Sequence, residues 1–397
     1  MSKVIKSRIV NMGKMARETV KGFRDIEGSE AEKRLEIQKI LINEFERYGF
    51  EFVETPIIEY EEFVKSGNEN DEAVSDIFKL KDRGERNLAL RYEFTFQLKR
   101  ISQNKKLPYR RFQIGPVFRD EPISANRFRQ FTQCDVDVIG SNLKDEAEIV
   151  FLTFSLLKKF GIKAKIYFNN RRLIDEIFNA NKIKDSEQVL REIDKLDKLS
   201  EKEVRENLKK FGAEKMISIL KNKKDYFKKF DSFKEIQDLE KYCKLYGVNI
   251  EFQPSLVRGL SYYNGSVFEI KSDIKETICA GGSYLVNGIQ ATGISFGLDR
   301  LAIVSKLNSF NKKVIVLSLE QDKIAIGLTC KLRENNIPCV LMYGKPSKAL
   351  EYANSKDIGY VVFVGESEVK TKKFKLKDMK SGKEFNLIEK DLIKKLS

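Results

Sequence analysis

A chain of 397 residues with a formal net charge of +15 and no histidine excludes several classes of protein at once. Without histidine there is no Ser-His-Asp triad, no Cys-His pair and no H-E-x-x-H zinc site, so any chemistry relies on carboxylates, arginine, lysine, tyrosine, glutamine and backbone groups. The length predicts two or three domains, and the positive charge makes a polyanionic partner plausible.

The predicted elements of the first 160 residues are, in chain order, a helix over 29–48, strands over 50–53, 88–91, 110–119 and 128–139, and a helix over 145–160. Ser29 followed by Glu32 predicts a capping box at the start of the first helix. The two longer strands flank a short loop over 121–126, which predicts an antiparallel pair.

The rest of the chain divides into a charged helical segment and two regions with strands. Residues 171–247 are charged and helical in pattern, which predicts an inserted helical module. Strands are predicted over 256–270 and 277–296, with a helix from residue 298. After a polar linker, strands and helices alternate over 314–318, 322–335, 339–342, 347–356 and 360–364, which predicts a small α/β domain with a largely parallel sheet.

Cysteine usage and hydropathy predict the compartment. The five cysteines are scattered and none forms a C-x-x-C pair, so the sequence supports neither a zinc site nor a disulfide framework. No apolar run approaches the roughly 18–20 residues that a membrane-spanning helix needs. We therefore expect a cytoplasmic protein that contacts no membrane and builds no metal site from its own side chains.

The strand over 128–139 carries the first chemical signal. Because successive side chains of a strand point to opposite faces, one face holds Phe131, Gln133, Asp135 and Asp137, with Arg127 and Arg129 on the same parity. The opposite face is largely apolar. Arginine can hold phosphate oxygens with two hydrogen bonds, and a phenyl ring can stack on a base. This pattern favours the floor of a polar pocket, with an ordinary solvated sheet as the alternative.

These residues also resemble a known family. The string from Arg119 to Val138 resembles motif 2 of class II aminoacyl-tRNA synthetases, and its R-F-R-Q-F-T-Q-C-D-V-D portion resembles the archaeal and eukaryotic histidyl branch. The residues Gly293–Leu301 resemble motif 3, and Thr55–Glu59 resemble motif 1, the dimer-interface element. The most specific resemblance is that of L-V-R-G-L-S-Y-Y, which begins at Leu256, to the histidine-binding segment of histidyl-tRNA synthetases. Two shorter segments, Lys21–Asp25 and Leu90–Thr95, resemble other segments of that family.

The resemblance implies an architecture and a reaction. The expected fold class is α+β, with a class II antiparallel catalytic sheet, a helical insertion and a C-terminal α/β anticodon-binding domain. The expected boundaries are 1–20 for an N-terminal extension, 21–170 and 248–306 for the catalytic core, 171–247 for the insertion and 314–397 for the anticodon domain. In the implied reaction, L-histidine attacks the α-phosphorus of ATP, and the terminal ribose of tRNA(His) then takes the histidyl group. A homodimer is also implied.

The resemblance further implies roles for individual side chains. In ATP binding, Arg119 would hold the α-phosphate, Arg300 the γ-phosphate and Arg127 the outer phosphates, while Phe131 stacks on adenine beside Glu121. Arg258 would act with Arg119 in catalysis by bridging the substrate carboxylate and the α-phosphate. Magnesium would accompany ATP. In histidine binding, Glu93, Thr95 and Gln133 would hold the α-amino group, Asp137 and Tyr263 would flank the imidazole, and Tyr284 would close the pocket.

Departures from the family pattern leave the shape of the histidine pocket open. Ser261 stands where the family has Asp, and Ser283 and Leu285 stand where it has the Arg and Asp of G-G-R-Y-D. The main alternative function is a non-catalytic paralogue that serves as a regulatory subunit or as a sensor of uncharged tRNA. A general nucleic-acid-binding protein is a weaker alternative, because it leaves the Arg258 segment unexplained. The lysine-rich stretch 370–380 is a candidate phosphate contact or, alternatively, a solvated loop.

Overall fold

The computed structural model describes residues 17–66, 72–124, 127–197, 199–257, 262–274, 276–307 and 313–397. Arg258 and Ser261, which the sequence analysis singled out, lie outside these residues, as does most of the predicted N-terminal extension. The chain forms two compact units, of which the first ends at Leu307.

Helices of the first unit flank and connect two sheets. Its helices are α1 (Gly28–Arg47), α2 (Glu61–Lys65), α3 (Glu72–Ser75), α4 (Leu98–Ile101), α5 (Leu143–Lys159), α6 (Arg171–Ala180), α7 (Ser186–Asp194), α8 (Glu201–Lys209), α9 (Met216–Leu220), α10 (Phe233–Leu245) and α11 (Leu298–Val304). Its strands are β1 (Glu51–Phe52), β2 (Ile58–Tyr60), β3 (Lys79–Lys81), β4 (Asn87–Leu90), β5 (Tyr109–Phe118), β6 (Gln130–Ile139), β7 (Lys165–Asn170), β8 (Glu251–Phe252), β9 (Tyr263–Lys271), β10 (Cys279–Val286) and β11 (Ile289–Gly297).

The central sheet has eight strands in the order β1-β5-β6-β11-β10-β9-β7-β8. Its six inner strands pair with one another in antiparallel fashion, as the sequence predicted for the β5–β6 pair. The two short edge strands β1 and β8 pair in parallel, so the whole sheet is mixed rather than purely antiparallel. A separate sheet has the order β2-β4-β3.

One face of the central sheet is the hydrophobic core. Cys134, Val136 and Val138 of β6 are fully buried there, which confirms the predicted apolar face. Burying each of the two valine side chains stabilises the fold by about 1.5–3 kcal/mol. The polar face of the same strand therefore points away from this core.

Two helix starts show how local sequence sets a boundary. At the start of α5, the Asn142 side chain accepts a hydrogen bond from the backbone of the first turn. The Asp145 carboxylate in turn accepts from the Asn142 backbone N–H, which completes a capping box. The capping box predicted from Ser29 and Glu32 is wrong, because α1 begins at Gly28 and has Glu27 at its N-cap without a side-chain cap.

The second unit is a small α/β domain built on one five-stranded sheet. It contains β12 (Val314–Ser318), α12 (Asp322–Glu334), β13 (Cys339–Tyr343), α13 (Pro346–Ser355), β14 (Tyr360–Val364), α14 (Glu366–Thr371), β15 (Phe374–Asp378), β16 (Glu384–Leu387) and α15 (Glu389–Leu396). The strand order is β13-β12-β14-β15-β16, with the first three parallel and the last two antiparallel.

The lysine-rich stretch of this unit is not a loop, because buried Phe374 and Leu376 draw residues 374–378 into β15. The intervening lysines, Lys375 and Lys377, both approach Glu384. All five cysteines of the chain are free thiols. None of the described helices combines the length and the apolar character that spanning a membrane requires.

Candidate active site

The polar face of β6 is the floor of the candidate site. In the register of the β5–β6 pair, Arg111 lies opposite Asp137 and Gln113 lies opposite Asp135. On its other side, β6 pairs with β11, which places Gly293 beside Asp137 and Ser295 beside Asp135. Asp135 and Asp137 are both at least nine-tenths buried, so this face is a buried polar surface rather than a solvated one.

At the N-terminal end of β6, an arginine lies over an aromatic ring. The Arg119 guanidinium is 5.2 Å from the centre of the Phe131 ring, and its Nε donates to the Tyr92 carbonyl oxygen at 3.1 Å. The carboxylate of Glu121 lies beneath it, 3.8 Å from Arg119 Nη1, and forms an ion pair with Arg127. The structure therefore brings four of the predicted ATP-binding side chains together.

The fifth predicted ATP-binding residue, Arg300, lies in the first turn of α11, immediately after the glycine-ended strand β11. Its Nη1 donates to the Thr277 carbonyl oxygen at 2.7 Å. The neighbouring Asp299 fixes this turn, because it accepts from the Thr132 backbone N–H at 3.0 Å and pairs with Arg34 at 2.7 Å. Those contacts join α1, β6 and α11, and so hold Arg300 beside the strand that carries Phe131.

At the other end of the floor, Asp137 is the centre of a buried cluster. The Tyr284 hydroxyl donates to its Oδ1, and the fully buried Arg111 guanidinium lies 2.6 Å from its Oδ2. Tyr263 lies directly across the β9–β10 pair from Tyr284 and is also buried. Burial raises the pKa of the Asp137 carboxyl, whereas Arg111 and the Tyr284 hydrogen bond lower it. The structure thus brings together the three residues predicted around the imidazole.

The backbone of β11 at Gly293 lies close to the Asp137 side chain, and this close approach makes the cluster possible. A Cβ on Gly293 would lie 2.1 Å from Asp137 Oδ1 and 2.8 Å from the Val136 carbonyl oxygen. We expect Gly293→Ala to lower the free energy of unfolding by about 1–3 kcal/mol, because the methyl group must displace buried neighbours. Urea denaturation measures this, with Gly84→Ala as the control, since a Cβ there makes ordinary contacts. Equal stability of the two variants would contradict the packing described here.

Three residues, Glu93, Thr95 and Gln133, are predicted to contact the α-amino group of a substrate. Glu93 is buried, and the Thr95 side chain forms a hydrogen bond with Tyr262, a residue that the sequence analysis did not assign. The Tyr262 ring lies 5.5 Å from the Tyr284 ring, so these residues border the Asp137 cluster. Gln133 Nε2 donates to Ser295 Oγ at 3.1 Å, and Ser295 Oγ donates to Asp135 Oδ1 at 2.6 Å.

Asp135 has an unusual protonation equilibrium. The pKa of its carboxyl is raised to about 7, chiefly by burial and also by the charges of Asp137 and Glu93, while Arg111 and the Ser295 hydrogen bond act in the opposite direction. Because this folded-state pKa lies above the ordinary value of 3.8, the folded state binds the proton more tightly than the unfolded chain. The contribution of Asp135 to stability therefore falls as the pH rises from about 4 towards 7.

Replacing Asp135 by asparagine removes that penalty. The quantity to compare is the unfolding free energy of Asp135→Asn minus that of the wild-type protein. This difference is expected to be about 3 kcal/mol larger at pH 8 than at pH 5. Urea titrations of both proteins at the two pH values measure the difference. A stability difference that does not change between the two pH values would contradict a raised pKa at Asp135.

The family departures have local explanations in the structure. Ser283 is buried and donates to Glu146 Oε1 of α5 at 2.5 Å, on the side of the sheet away from Tyr284. Leu285 is half-exposed. The partners of Asp137 are Tyr284 and Arg111, so these two substitutions leave the Asp137 cluster intact. Residues that the sequence analysis missed are Arg111, Ser295 and Tyr262; each lies on a strand or strand end adjacent to a predicted residue.

A mixed sheet with an arginine-bearing strand pair, and a glycine-rich strand entering a short helix, defines the catalytic domain of a class II aminoacyl-tRNA synthetase. The comparison with protein families agrees. The model of the histidyl-tRNA synthetase family matches residues 22–301, and the model of an anticodon binding domain matches residues 313–397. The chain belongs to the histidyl-tRNA synthetase family.

Individual relatives cover nearly the whole chain. Histidine–tRNA ligase 1 of Bacillus cereus is 33% identical over 414 aligned positions, covering 93% of this chain and 95% of the relative. The crystal structure of histidyl-tRNA synthetase from Nostoc sp. PCC 7120 is similar with a TM-score of 0.83 and 25% identity, covering 96% of this chain and 98% of that one. These relatives are bacterial, so they do not support the predicted place in an archaeal and eukaryotic branch.

A third similar structure bears on the alternative function. It is described as an ATP phosphoribosyltransferase regulatory subunit/histidyl-tRNA synthetase from Bacillus halodurans C, with a TM-score of 0.72 and 22% identity. It covers 87% of this chain and 98% of its own. At that identity the likeness shows the shared fold alone, so the side chains of the site must separate an enzyme from a regulatory paralogue.

Proposed function

We propose that this chain ligates L-histidine to tRNA(His), using ATP to form histidyl-adenylate and releasing AMP and pyrophosphate. Family membership and the named ligase activity of its relatives support this activity. The observation that carries the assignment is the division of charge along one face of β6. Its two ends are chemically opposite, as the two parts of an aminoacyl-adenylate are.

The floor has a basic end and an acidic end. The end near Phe131 has three arginines and one acid, which are Arg119, Arg127, Arg300 and Glu121. The other end has three acids and one arginine, which are Glu93, Asp135, Asp137 and Arg111. Phe131 and Asp137 are six residues apart on one strand, or about 20 Å. That distance accommodates a nucleotide joined to an amino acid, with phosphates at the basic end and the ammonium and imidazole groups at the acidic end.

At the basic end, positioning and charge neutralisation supply the catalysis. Arg119 is proposed to hold the α-phosphate, Arg127 the outer phosphates and Arg300 the γ-phosphate. Adenine is proposed to stack on the exposed side of Phe131, with Glu121 accepting from its amino group. Because Glu121 now pairs with Arg127, ATP binding requires Arg127 to exchange a carboxylate for phosphate oxygens, which are equally suited to its planar fork.

At the acidic end, the proposed histidine contacts are Glu93, Thr95 and Gln133 for the α-amino group and Asp137, Tyr263 and Tyr284 for the ring. Asp137 Oδ1 accepts from the Tyr284 hydroxyl and Oδ2 is ion-paired with Arg111, yet each carboxylate oxygen retains a lone pair for an imidazole N–H. A substrate without the ring nitrogens would leave these buried groups unpaired, which gives strong discrimination.

Two parts of the proposal rest on the family resemblance. Arg258 is proposed to bridge the substrate carboxylate and the α-phosphate, on the strength of the L-V-R-G-L-S-Y-Y segment. Mg²⁺ is proposed to arrive with ATP. In the part of the chain that the structure describes, no group of three or more acidic or Cys side chains is placed to hold a metal ion. The reason for proposing Mg²⁺ is its general preference for substrate phosphates together with one or two carboxylates.

The second unit is proposed to bind the anticodon region of tRNA(His). The anticodon-domain match over 313–397 supports this, as do the lysines of β15. A homodimer is also proposed. Around the motif 1 segment, the side chains of Phe52, Ile57, Ile58 and Tyr60 are exposed, and β1 and β2 are both edge strands. The free cysteines support a cytoplasmic location.

A regulatory paralogue is the alternative, and the described site disfavours it. The arginines expected to hold phosphate, Arg119 and Arg300, are present and are held by backbone carbonyl oxygens. The distinguishing experiment is charging of a tRNA(His) transcript with labelled histidine by the purified protein. We expect ATP-dependent histidyl-tRNA(His) to accumulate. Binding of the transcript without charging would favour the regulatory alternative.

A further inference from the structure

Three side chains beside the proposed amino-acid site form a hydrogen-bonded series. Asp135 and Ser295 lie directly opposite each other on antiparallel strands β6 and β11, and Gln133 lies two residues before Asp135 on the same face. Ser295 Oγ is 2.6 Å from Asp135 Oδ1 and 3.1 Å from Gln133 Nε2. Among the residues that the structure describes, Gln133 Oε1 is buried without a hydrogen-bond partner.

The chemistry of a hydroxyl determines which way the glutamine amide points. An ionised carboxylate can only accept, so Ser295 must use its single proton on Asp135. The hydroxyl then offers Gln133 a lone pair, which only the NH₂ end of the amide can use. Gln133 Oε1 is therefore directed away from Ser295, and an acceptor rather than a donor remains available to a ligand.

We propose that Asp135 and Ser295 are positioning residues, which orient the Gln133 amide so that its carbonyl oxygen accepts from the α-ammonium group of histidine. The inference rests on the proposed function. The reversed amide would present an NH₂ donor to a cationic donor, which is repulsive. A buried acceptor bonded to a charged donor makes a strong hydrogen bond, so the orientation has a large effect on affinity.

The protonation of Asp135 adds a second readout. Once protonated, Asp135 can itself donate to Ser295, whose proton is then free to turn towards Gln133. The groups that face Asp135 are Arg111 on β5, Asp137 on β6, Glu93 after β4 and Ser295 on β11, and together they leave its pKa at about 7. Histidine binding is therefore expected to weaken as the pH falls from 8 to 6, beyond the change that titration of the substrate imidazole causes.

The first test uses Ser295→Ala in the full-length protein. We expect the KM for histidine in ATP–pyrophosphate exchange to rise about 10- to 100-fold, with kcat and the KM for ATP changed less than about threefold. Ser295→Thr keeps the hydroxyl and is expected to restore most of the affinity. Thr153→Val is the matched control, because it removes a buried hydroxyl that bonds within α5, and it is expected to leave all three constants unchanged.

A double-mutant cycle separates positioning from a general structural effect. If Ser295 acts through Gln133, then Gln133→Ala should raise the KM for histidine to a similar extent, and the double variant should be no worse than Gln133→Ala alone. Additive effects would overturn the proposal. Asp135→Asn offers Ser295 both a donor and an acceptor and so no longer fixes the direction of its proton. It should raise the KM for histidine towards the Ser295→Ala value, and the ratio of its KM to that of wild type should shrink as the pH falls from 8 to 6.

Ligand analogues test which substrate group is involved. Imidazole propionate is histidine without its α-amino group, and histidinol retains that amino group. Calorimetry should show that Ser295→Ala weakens histidinol about as much as histidine and leaves imidazole propionate within about threefold. Equal losses for both analogues would overturn the proposal. If wild-type protein shows no histidine-dependent exchange, the proposed function itself fails, whereas an active wild type with additive variants refutes the positioning alone.

Discussion

Replacing Arg119 by alanine is expected to lower kcat for histidine-dependent pyrophosphate exchange by about 10²–10³-fold. Attack of the histidine carboxylate places additional negative charge on the α-phosphate, and Arg119, whose side chain is 25% exposed, is the residue proposed to hold that phosphate. Its position is set before substrate arrives, by the Tyr92 carbonyl oxygen and by the Phe131 ring. Arg119→Lys should recover little, because an ammonium group cannot reproduce the planar two-point contact.

Arg110, near the start of β5, provides a matched control for Arg119, which directly follows the end of that strand. It points to the other face of β5, where it pairs with Glu148 and Asp145 of α5. Arg110→Ala is therefore expected to change kcat less than about threefold. The exchange assay with saturating ATP and histidine compares the two variants. Similar losses in both would mean that Arg119 acts through stability rather than on the phosphate.

Replacing Asp137 by alanine is expected to destabilise the fold by about 3–5 kcal/mol. Arg111 is fully buried, and its Nη2 lies 2.6 Å from Asp137 Oδ2. Removing the carboxylate leaves the guanidinium charge in the interior with no compensating anion at that distance. Urea denaturation at pH 7.5 measures the loss, and the additional replacement Arg111→Leu should recover part of it.

A stability within about 1 kcal/mol of wild type would contradict an Arg111–Asp137 pair. The instability of Asp137→Ala also makes Asp137→Asn the better probe of function, because it keeps the volume and one acceptor oxygen. In any folded Asp137 variant, the KM for histidine should rise much more than the KM for ATP. Equal changes in both constants would exclude Asp137 from the imidazole site.

Local sequence predicted the strand pair well, because its signals are local. The alternation of Cys134, Val136 and Val138 with polar residues is a property of one strand, and these three side chains are buried as predicted. The first three strands of the second unit were also predicted within a residue. Strands β15 and β16, which add to the sheet in antiparallel fashion, were not predicted. The alternation of strands and helices that indicates a parallel sheet does not show at which strand that order ends.

The register between β5 and β6 could not be obtained in the same way. A loop centred on 121–126 would place Arg111 opposite Val136, on the apolar face, whereas the observed register places it opposite Asp137. A shift of one residue moves every side chain of a strand to the other face. The Arg111–Asp137 pair was therefore invisible in the sequence, although both residues lie in strands that were correctly predicted.

The contact between Ser295 and Asp135 was also not visible in the sequence. Asp135 and Ser295 are separated by 160 residues in the chain, and only the order of strands in the sheet makes them neighbours. Family resemblance located Gln133, but the orientation of its amide depends on a hydroxyl from another strand. The roles proposed for Arg119, Phe131 and Asp137 came from motif resemblance, and the structure adds the contacts through which each is held.

The proposed histidine activation is tested most simply by ATP–pyrophosphate exchange with the purified wild-type protein, with each amino acid supplied separately and no tRNA present. We expect exchange that requires L-histidine and ATP and is not supported by the other amino acids. Absence of exchange with histidine, or equal exchange with an amino acid that lacks an imidazole ring, would contradict this proposal.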